Sequence, residues 1–270
     1  MYPELKDRVA IVTGAGRSGG LGAAMAQRLA AEGAWVVVAE LKADAEAQAV
    51  VGQIVQAGGK AIALPCDMRD GVAVQALVDG TVQHFGGVDI LVNNAGVGYL
   101  MKPIVELSLD EWDTVLGVNL RGVFAATQAV ARVFAAQHAQ GRSNGRIVNI
   151  ASQAAKSGFP HAAAYCASKH GLVGLARSAA IELGPHGITL NNVCPNHVTT
   201  GLGAWQNEYF AKVVGAASVD EYLKAMASRI PMRRPGLPED TADAVAFLCS
   251  DEAKYITAES LNVSGGEEPH

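Results

Sequence analysis

Tyr165 and Lys169 are the residues of this sequence whose spacing most directly suggests chemistry. They lie four positions apart in a stretch with a helical pattern, so their side chains share one helix face. A tyrosine with a pKa of about 10 is a poor base at neutral pH, and a nearby ammonium lowers that pKa by favouring the phenolate. Ser152 ends the upstream segment RIVNIAS and could donate a hydrogen bond to a substrate oxygen. The three residues could together protonate the alkoxide left by hydride transfer to a carbonyl, although Ser152 could also simply cap a turn.

A glycine-rich segment near the amino terminus could bind the phosphates of a nucleotide. The run TGAGRSGGLG, residues 13–22, follows a strand-like run and opens a helix-like one. Free N–H groups at a helix N-terminus and the helix dipole attract phosphate, and glycine lets the backbone come close. Residues 14–19 match G-x-G-x-x-G, a string that is weak alone and stronger in this context. The loop residues predicted to bind the cofactor are Gly14, Arg17, Ser18, Gly20 and Leu21.

Glu40 carries the prediction of which dinucleotide binds. It ends the second strand-like run, WVVVAE, beyond the glycine loop. A carboxylate at this point can accept hydrogen bonds from both ribose hydroxyls and would repel a 2′-phosphate, so NAD is favoured over NADP. Arg17 is the counter-argument, since a guanidinium in the loop could hold that phosphate.

Short apolar runs that alternate with longer helical patterns position these residues. The predicted strands are Arg8–Thr13, Trp35–Ala39, Ala61–Leu64, Val88–Val92, Arg146–Ile150, Ile188–Val193 and a last one near Ser260–Val263. The predicted helices are Gly20–Ala31, Ala43–Ala57, Val72–Phe85, Leu109–His138, Ala162–Leu183 and one around Glu239–Leu248. Uniformly apolar strands are covered on both faces, and strand–helix–strand repetition gives parallel pairing. The pattern predicts an α/β fold, a single-domain, Rossmann-type doubly wound parallel sheet of about seven strands with helices on both faces.

One stretch departs from this alternation. Residues 199–238 contain four aromatic residues, Trp205, Tyr209, Phe210 and Tyr222, and no clear strand. A doubly wound fold keeps its ligands beyond the carboxyl ends of its strands, so we predict a substrate lid here. No Pro/Ser-rich linker divides the chain, so residues 1–270 are expected to form a single domain.

Composition excludes several other classes of protein. The 270 residues are 50% hydrophobic and 17% charged, which excludes a disordered chain. A net charge of -5 argues against a nucleic-acid partner, which would require a basic excess. No apolar run approaches membrane-spanning length, and the four cysteines have neither the spacing of a zinc site nor that of a redox dithiol. We therefore expect no metal and no membrane span, and a reducing cytoplasm is the expected location.

The chain resembles a classical short-chain dehydrogenase/reductase along essentially its whole length. The matching pieces, in the family's order and spacing, are the TG…GLG loop, Cys66-Asp67-Met68, Asn93-Asn94-Ala95-Gly96, Asn119, Ser152, Tyr165-Cys-Ala-Ser-Lys169 and Pro195 to Thr200. The resemblance implies that Asn119, Ser152, Tyr165 and Lys169 are catalytic, with Asn119 holding a water that links Lys169 to solvent.

The resemblance also implies a set of cofactor contacts beyond the glycine loop. Asp67 and Met68 would hold the adenine, Asn94, Ala95 and Gly96 would line the cleft, and Val198 and Thr200 would hold the nicotinamide carboxamide. Pro195, Tyr165 and Lys169 would complete that end of the cofactor site. Two departures from the family pattern bear on it. The loop from Gly14 to Gly20 is two residues longer than usual, and Asn196 replaces the glycine that usually follows this proline.

The substrate is expected to be a polyol, a sugar or a related hydroxy compound. Ser-Gln at 152–153 is similar to some diol, polyol and sugar dehydrogenases of the family, in which Gln153 would bind a second hydroxyl. His197 and Trp205 flank the start of the lid and could touch the substrate together with Ser152 and Tyr165. The favoured activity is NAD(H)-dependent interconversion of a secondary alcohol and a ketone. The alternatives are an NADPH-dependent 3-oxoacyl thioester reductase and a non-catalytic dinucleotide sensor.

The family resemblance also implies a partner. We expect a homotetramer in which the helical stretches 109–138 and 162–183 pair between subunits.

Overall fold

The computed structural model describes residues 1–142, 144–199 and 202–268. Seven parallel strands form one sheet in the order β3-β2-β1-β4-β5-β6-β7. The strands are β1 Val9–Thr13, β2 Trp35–Glu40, β3 Lys60–Pro65, β4 Ile90–Asn93, β5 Arg146–Ile150, β6 Thr189–Pro195 and β7 Ser260–Val263. The strand order reverses between β1 and β4, which is where a doubly wound fold binds its ligands. The predicted fold class is confirmed.

Helices connect the strands and cover both faces of the sheet. They are α1 Leu21–Ala31, α2 Ala45–Gln56, α3 Gly71–Phe85, α4 Leu109–Leu116, α5 Val123–His138, α6 Ala163–Leu183, α7 Leu202–Val213, α8 Val219–Arg229 and α9 Pro238–Cys249. Helices α1, α2 and α9 contribute to one buried apolar cluster, and α3, α5 and α6 to another. In β1, Ala10 and Val12 join the first cluster and Ile11 the second, as the two-residue period of a strand requires.

The helical stretch from Leu109 to His138 is not the continuous α-helix that the sequence predicts. A π-helix, Gly117–Gly122, joins α4 to α5 and contains the buried Asn119. Single π-turns inside α-helices are rare and commonly mark functional positions. The strand predicted at Val88–Val92 also differs, since β4 begins at Ile90 and extends to Asn93.

A row of buried amides crosses four strands at the same register. Asn93 donates to Asn149 at 2.9 Å, Asn149 donates to Asn192 at 3.1 Å, and Asn192 donates to Ser260 Oγ at 3.0 Å. Each pair lies directly opposite in the sheet. Linked buried amides are stable only when their partners are aligned, so this row fixes the register of β4 to β7.

The region predicted as a lid contains two helices, α7 and α8, within the described residues. A single bridge between Val198 and Gly236 joins the two ends of this excursion. The excursion leaves the sheet after β6 and returns before α9, so it lies at the carboxyl edge of the strands.

Candidate active site

The four residues predicted to be catalytic come from three elements at the carboxyl edge of the sheet. Ser152 follows β5, Tyr165 and Lys169 lie on α6, and Asn119 lies in the π-helix. A hydrogen bond joins Ser152 to Tyr165. A Cβ placed on Gly96 would lie 3.5 Å from Asn119 Oδ1 and 3.9 Å from Lys169 Nζ, so these two side chains flank the same glycine. The fold therefore brings all four residues together.

Burial controls the protonation of the pair on α6. Burial lowers the pKa of Lys169 to about 8, and Nζ donates to the carbonyl of Ile150 at 2.7 Å. Burial raises the pKa of Tyr165 to about 12, and the hydrogen bond with Ser152 opposes this rise. Lys169 Nζ lies 5.6 Å from the ring centroid of Tyr165, and desolvation of the phenolate is the largest influence on the tyrosine pKa in this structure. The lowering of this pKa that the sequence leads us to expect from the ammonium stays a prediction.

Asn119 fixes the loop that follows β4. Its Oδ1 accepts from the N–H of Val97 at 2.7 Å, and its Nδ2 donates to the carbonyl of Val97 at 2.9 Å and to Ser168 Oγ at 3.1 Å. The side chain thus ties the loop after β4 to α6, three residues after Tyr165. The role expected for Asn119 in holding a water stays a prediction.

The glycine loop has the geometry of an anion site. Gly14 and Gly19 have left-handed backbones, with φ of +64° and +69°, and a Cβ on Gly22 would overlap the carbonyl of Gly14. No side chain caps the N-terminus of α1 at Gly20, so its first N–H groups, including that of Leu21, face the loop. These features fit a pyrophosphate group, which needs free N–H donors and close backbone approach.

Glu40 is held against this loop. Its Oε2 accepts from the N–H of Gly16 at 3.0 Å and its Oε1 from the N–H of Leu41 at 3.0 Å. A Cβ on Gly16 would lie 2.7 Å from Glu40 Cγ, so only glycine allows this approach. The carboxylate therefore lies beside the loop, as its position in the sequence predicts.

The middle of the lengthened glycine loop lies on the surface. Arg17 and Ser18 are both exposed. Ser18 Oγ accepts from Gln53 on α2 at 3.2 Å, and Gln53 in turn accepts from Gln27 on α1 at 2.8 Å. The loop is thus attached to both flanking helices through Ser18.

The residues expected around adenine have protein partners of their own. Asp67 forms an ion pair with Arg69 at 2.6 Å, which lowers the pKa of the Asp67 carboxyl. Met68 is buried, and a Cβ on Gly122 would lie 2.5 Å from its carbonyl oxygen. Asp67 is partly exposed, so its carboxylate is accessible from solvent.

Asn94 and Ala95, which are expected to line the cofactor cleft, are held against the end of β1. Asn94 Nδ2 donates to the carbonyls of Thr13 and Gly14, each at 2.9 Å. Thr13 Oγ1 accepts from the N–H groups of Asn94 and Ala95, at 3.0 and 3.1 Å. Thr13 was not among the predicted site residues, although the threonine directly before the first loop glycine was a signal for it.

The residues expected near nicotinamide follow β6. Pro195 ends β6 and is buried, and Val198 forms the bridge to Gly236. Thr200 lies outside the described residues. Asn196 is buried, and its N–H donates to the carbonyl of Val263 at 3.2 Å, so the position of the usual glycine is occupied by a hydrogen-bonded residue.

Two of the predicted substrate residues contact the end of the chain. Gln153 Nε2 donates to Glu268 Oε1 at 2.6 Å. His197 Nε2 lies 3.3 Å from Glu267 Oε2. Neither glutamate was predicted, since they lie far from the motifs in sequence and only the three-dimensional fold brings them near.

A group of aromatic side chains joins α7 to the loop after β4. Trp205 stacks on Tyr209 with ring centroids 5.4 Å apart, and Tyr99 meets Trp205 edge-on at 6.5 Å. His161 Nδ1 lies 2.8 Å from the hydroxyl of Tyr209, which ties α7 to the loop before α6. Trp205 is 37% exposed and Tyr99 is 52% exposed. An apolar surface formed by α7 and the loop after β4 is thus open to solvent.

Two further features of the described residues bear on the site. No three His, Cys, Asp or Glu side chains in ranges 1–142, 144–199 and 202–268 lie close enough to hold a metal ion. Among the helices of those same ranges, none combines the length and apolar character that crossing a bilayer requires.

Comparison with known proteins identifies the family. A family model described as enoyl-(acyl carrier protein) reductase matches residues 14–268. A putative ketoacyl reductase of Streptomyces coelicolor is 38% identical over 262 residues, which cover 96% of this chain and 96% of that protein. The chain belongs to the short-chain dehydrogenase/reductase family.

Solved structures of other short-chain dehydrogenases/reductases are similar over the same length. A single-residue variant of actinorhodin polyketide ketoreductase with NADPH has a TM-score of 0.90 and 37% identity, covering 97% of this chain and 98% of that one. NAD⁺-bound xylitol dehydrogenase has a TM-score of 0.89 and 33% identity, covering 97% of this chain and all of that one, 100%. The chain is therefore a short-chain oxidoreductase, and its relatives include users of either nicotinamide dinucleotide.

Proposed function

We propose that this protein interconverts a secondary alcohol and a ketone by hydride transfer to and from NAD(H), with Tyr165 as the general acid and base. The observation that carries this proposal is the Ser152–Tyr165 hydrogen bond beside the buried Lys169, at the sheet edge that also holds the glycine loop. When bound, the nicotinamide ring supplies or accepts the hydride. Tyr165 holds or releases the proton of the alcohol, and Ser152 binds the same oxygen.

We assign the protons of the relay to this chain's own groups. Lys169 is largely protonated at pH 7 because its pKa is about 8, and its ammonium attracts a phenolate on Tyr165. Asn119 holds the loop at Val97 and the helix at Ser168, so it keeps Gly96 and Lys169 in place. A water near Asn119 would then pass the proton between Lys169 and solvent.

The cofactor assignment to NAD rests on Glu40. Its carboxylate lies on the N–H of Gly16, where a 2′-phosphate on the adenine ribose would meet negative charge. The pyrophosphate would bind at Gly14, Gly20 and Leu21, and the adenine beside Asp67 and Met68. The nicotinamide end would lie along Asn94, Ala95, Gly96, Pro195 and Val198, with Tyr165 and Lys169 beneath it.

Kinetics with the two dinucleotides test this assignment. We expect kcat/KM to be higher with NAD⁺ than with NADP⁺, and Glu40→Ser to reduce that preference by about tenfold or more through loss of the repulsive carboxylate. Glu46→Ser, on the exposed face of α2, is the matched control and should leave the preference unchanged. A wild-type preference for NADP⁺ would refute the assignment.

The substrate class we propose is a polyol, a sugar or a related hydroxy compound. Gln153 directly follows Ser152 and His197 follows β6, so both would bring polar groups to the substrate, and the partly exposed Trp205 would offer an apolar face to the carbon skeleton. The similarity to xylitol dehydrogenase supports the same class. A panel of polyols, sugars and hydroxy acids with NAD⁺ tests it, and the proposal fails if none is oxidised.

A second candidate is reduction of a 3-oxoacyl thioester with NADPH. It is favoured by the similarity to a ketoacyl reductase and to a polyketide ketoreductase with NADPH. Acetoacetyl-CoA with NADPH is the probe that separates the two, since the favoured hypothesis expects the faster reaction with NAD⁺ and an alcohol. A protein that binds dinucleotide and turns over none of these probes would be a sensor.

We also infer a homotetramer in a reducing compartment, the cytoplasm. The four cysteines are free thiols, which fits such a compartment. A groove of about 600 Å³ between α4 and α5 includes Leu116, Leu120 and the half-exposed Phe124, which fits burial against a second subunit.

A further inference from the structure

Residues 264–268, which follow β7, form a tight turn that contacts the proposed substrate region. Beyond β7, Gly265 and Gly266 have left-handed backbones with φ of +63° and +91°, and the N–H of Met232 donates to the carbonyl of Gly265 at 3.2 Å. The turn therefore packs against the segment that follows α8. It carries two glutamates, Glu267 and Glu268, toward residues that follow β5 and β6.

Glu268 determines which end of the Gln153 amide is free. A carboxylate only accepts hydrogen bonds, so Gln153 must turn its NH₂ group toward Glu268, as the 2.6 Å contact shows. The carbonyl of Glu268 is itself held by Asn262 Nδ2 at 2.6 Å, so the glutamate is fixed in place. No donor from the described part of the chain reaches Gln153 Oε1, which is left to accept from another molecule.

Glu267 has the same effect on two residues after β6. Asn196 donates its amide NH₂ to Glu267 Oε2, so its Oδ1 is the free end. His197 Nε2 lies 3.3 Å from the same oxygen. Burial lowers the pKa of His197, although Glu267 opposes this and Arg229 adds to it, so burial favours the neutral ring. At this distance from Glu267 a neutral ring can carry its proton on Nε2, which leaves a lone pair on Nδ1.

Resting on the function proposed above, we propose that Glu267 and Glu268 are positioning residues that make the substrate pocket present hydrogen-bond acceptors. Gln153 Oε1, Asn196 Oδ1 and His197 Nδ1 would then face the substrate. Such a pocket selects an alcohol that carries a second hydroxyl group beside the reacting carbon. It rejects an analogue in which that hydroxyl is methylated, since the acceptors are then left without a donor.

Binding to a catalytically disabled protein tests this selectivity without the need for turnover. The probes are trans-cyclohexane-1,2-diol and trans-2-methoxycyclohexanol, titrated calorimetrically into the Tyr165→Phe protein loaded with its preferred nicotinamide dinucleotide. We expect the diol to bind about tenfold more tightly than its methyl ether. Adding Glu268→Leu should reduce this ratio to about two or less, and Glu268→Gln, which keeps an acceptor oxygen, should restore part of it.

Two control variants separate orientation from charge and from general destabilisation. Glu252→Gln removes one charge at the opposite edge of the sheet, because the preceding residue, Asp251, pairs with Arg146 at the start of β5. This variant should leave the ratio unchanged. Gln153→Leu should lower the ratio as far as Glu268→Leu does. The proposal would be overturned by an unchanged ratio in a folded protein that carries Glu268→Leu. It would also be overturned if the Tyr165→Phe protein without that substitution bound both probes equally.

The imidazole gives a second measurement that uses no ligand. Long-range ¹H–¹⁵N spectra of the cofactor-free protein at pH 8 should show His197 as a single Nε2–H tautomer. Glu267→Gln should produce a mixture of the two tautomers, whereas Glu252→Gln should not. A mixture already present in the wild type contradicts the proposal.

Selective diol binding without NAD-linked oxidation would contradict the proposed function alone, and oxidation without selectivity would contradict this inference alone.

Discussion

At the scale of single residues, the protonation of Tyr165 is decided by burial. Burial raises its pKa to about 12 in the cofactor-free chain, so at neutral pH the hydroxyl is ready to donate its proton, and a phenolate requires added positive charge. The hydrogen bond with Ser152 already favours the phenolate. The types and spacing of the four catalytic candidates could be predicted from the sequence, but the direction of this pKa could not, because it depends on how deeply α6 is packed.

Removing the Tyr165 hydroxyl should separate chemistry from cofactor binding. Tyr165→Phe keeps the ring and loses the proton donor, so we expect kcat to fall by about 10²–10⁴-fold, as is typical when a general acid is lost. The affinity for NADH, measured by fluorescence titration, should stay within a factor of about two, since glycine-loop contacts are unaffected. Unchanged turnover in this variant would refute the assignment of Tyr165.

The buried ammonium of Lys169 should make the folded protein less stable than a variant without it. Its pKa falls from 10.5 to about 8 on folding, so the unfolded chain binds more protons between these values and stability rises with pH through this window. Lys169→Met should therefore raise the free energy of unfolding at pH 7 by about 1–3 kcal/mol. This is less than the pKa shift alone implies, because the variant also loses the hydrogen bond from Lys169 to the carbonyl of Ile150.

Urea denaturation of the cofactor-free protein checks this expectation. The advantage of Lys169→Met should shrink as the pH rises from 8 to 10, while turnover is lost at every pH. Lys254→Met, on the exposed surface, is the control and should show no such trend. A stability difference that is independent of pH would contradict the role of the buried ammonium.

At the scale of elements, tertiary contacts override local sequence preferences around Asn119. The stretch 109–138 has the periodicity of one helix, and a local pattern contains no signal for the π-helix at Gly117–Gly122. That turn coincides with the three hydrogen bonds that Asn119 makes to Val97 and Ser168. The sequence thus predicted the helix and the residue, while the local widening comes from partners distant in sequence.

The end of this π-helix should link helix packing to the cofactor site. A Cβ on Gly122 would lie 2.5 Å from the carbonyl of Met68 and 2.9 Å from its Cβ. We expect Gly122→Ala to lower stability by about 1–3 kcal/mol and to raise KM for NAD⁺ severalfold, because the segment at Met68, where we propose that the adenine binds, must move. Thermal unfolding and initial-rate kinetics measure both effects.

Gly52 on α2 provides the matched control for this change. A Cβ there would meet nothing within 4 Å, so Gly52→Ala should be neutral or stabilising by about 0.5–1 kcal/mol, as alanine is the better helix former. A Gly122→Ala protein that behaves like Gly52→Ala would show that the contact with Met68 has no consequence.

At the scale of the whole molecule, the sheet could be predicted from sequence because its strands are mostly apolar and a helix follows each of the first six. The seven strands, their parallel pairing and the reversal between β1 and β4 follow from that alternation. The carboxyl-terminal turn could not be predicted this way. Glu267 and Glu268 form no recognisable motif, and their neighbours Gln153 and His197 are 115 and 70 positions away in sequence.

Assembly of the whole molecule should depend on the surface formed by α4, the π-helix and α5. Phe124 is 48% exposed there, beside Leu116 and Leu120. Covering such an aromatic side chain with a second copy of the chain removes apolar surface from water and stabilises the assembly. We expect size-exclusion chromatography with light scattering to give a mass close to that of four chains of 27.9 kDa each.

Phe124→Asp should shift the protein to a smaller species, because burial of the new carboxylate is unfavourable. Val72→Asp, which adds the same charge on the exposed surface of α3, should leave the mass unchanged. A wild-type monomer would contradict the tetramer, and a Phe124→Asp protein of unchanged mass would place the interface elsewhere.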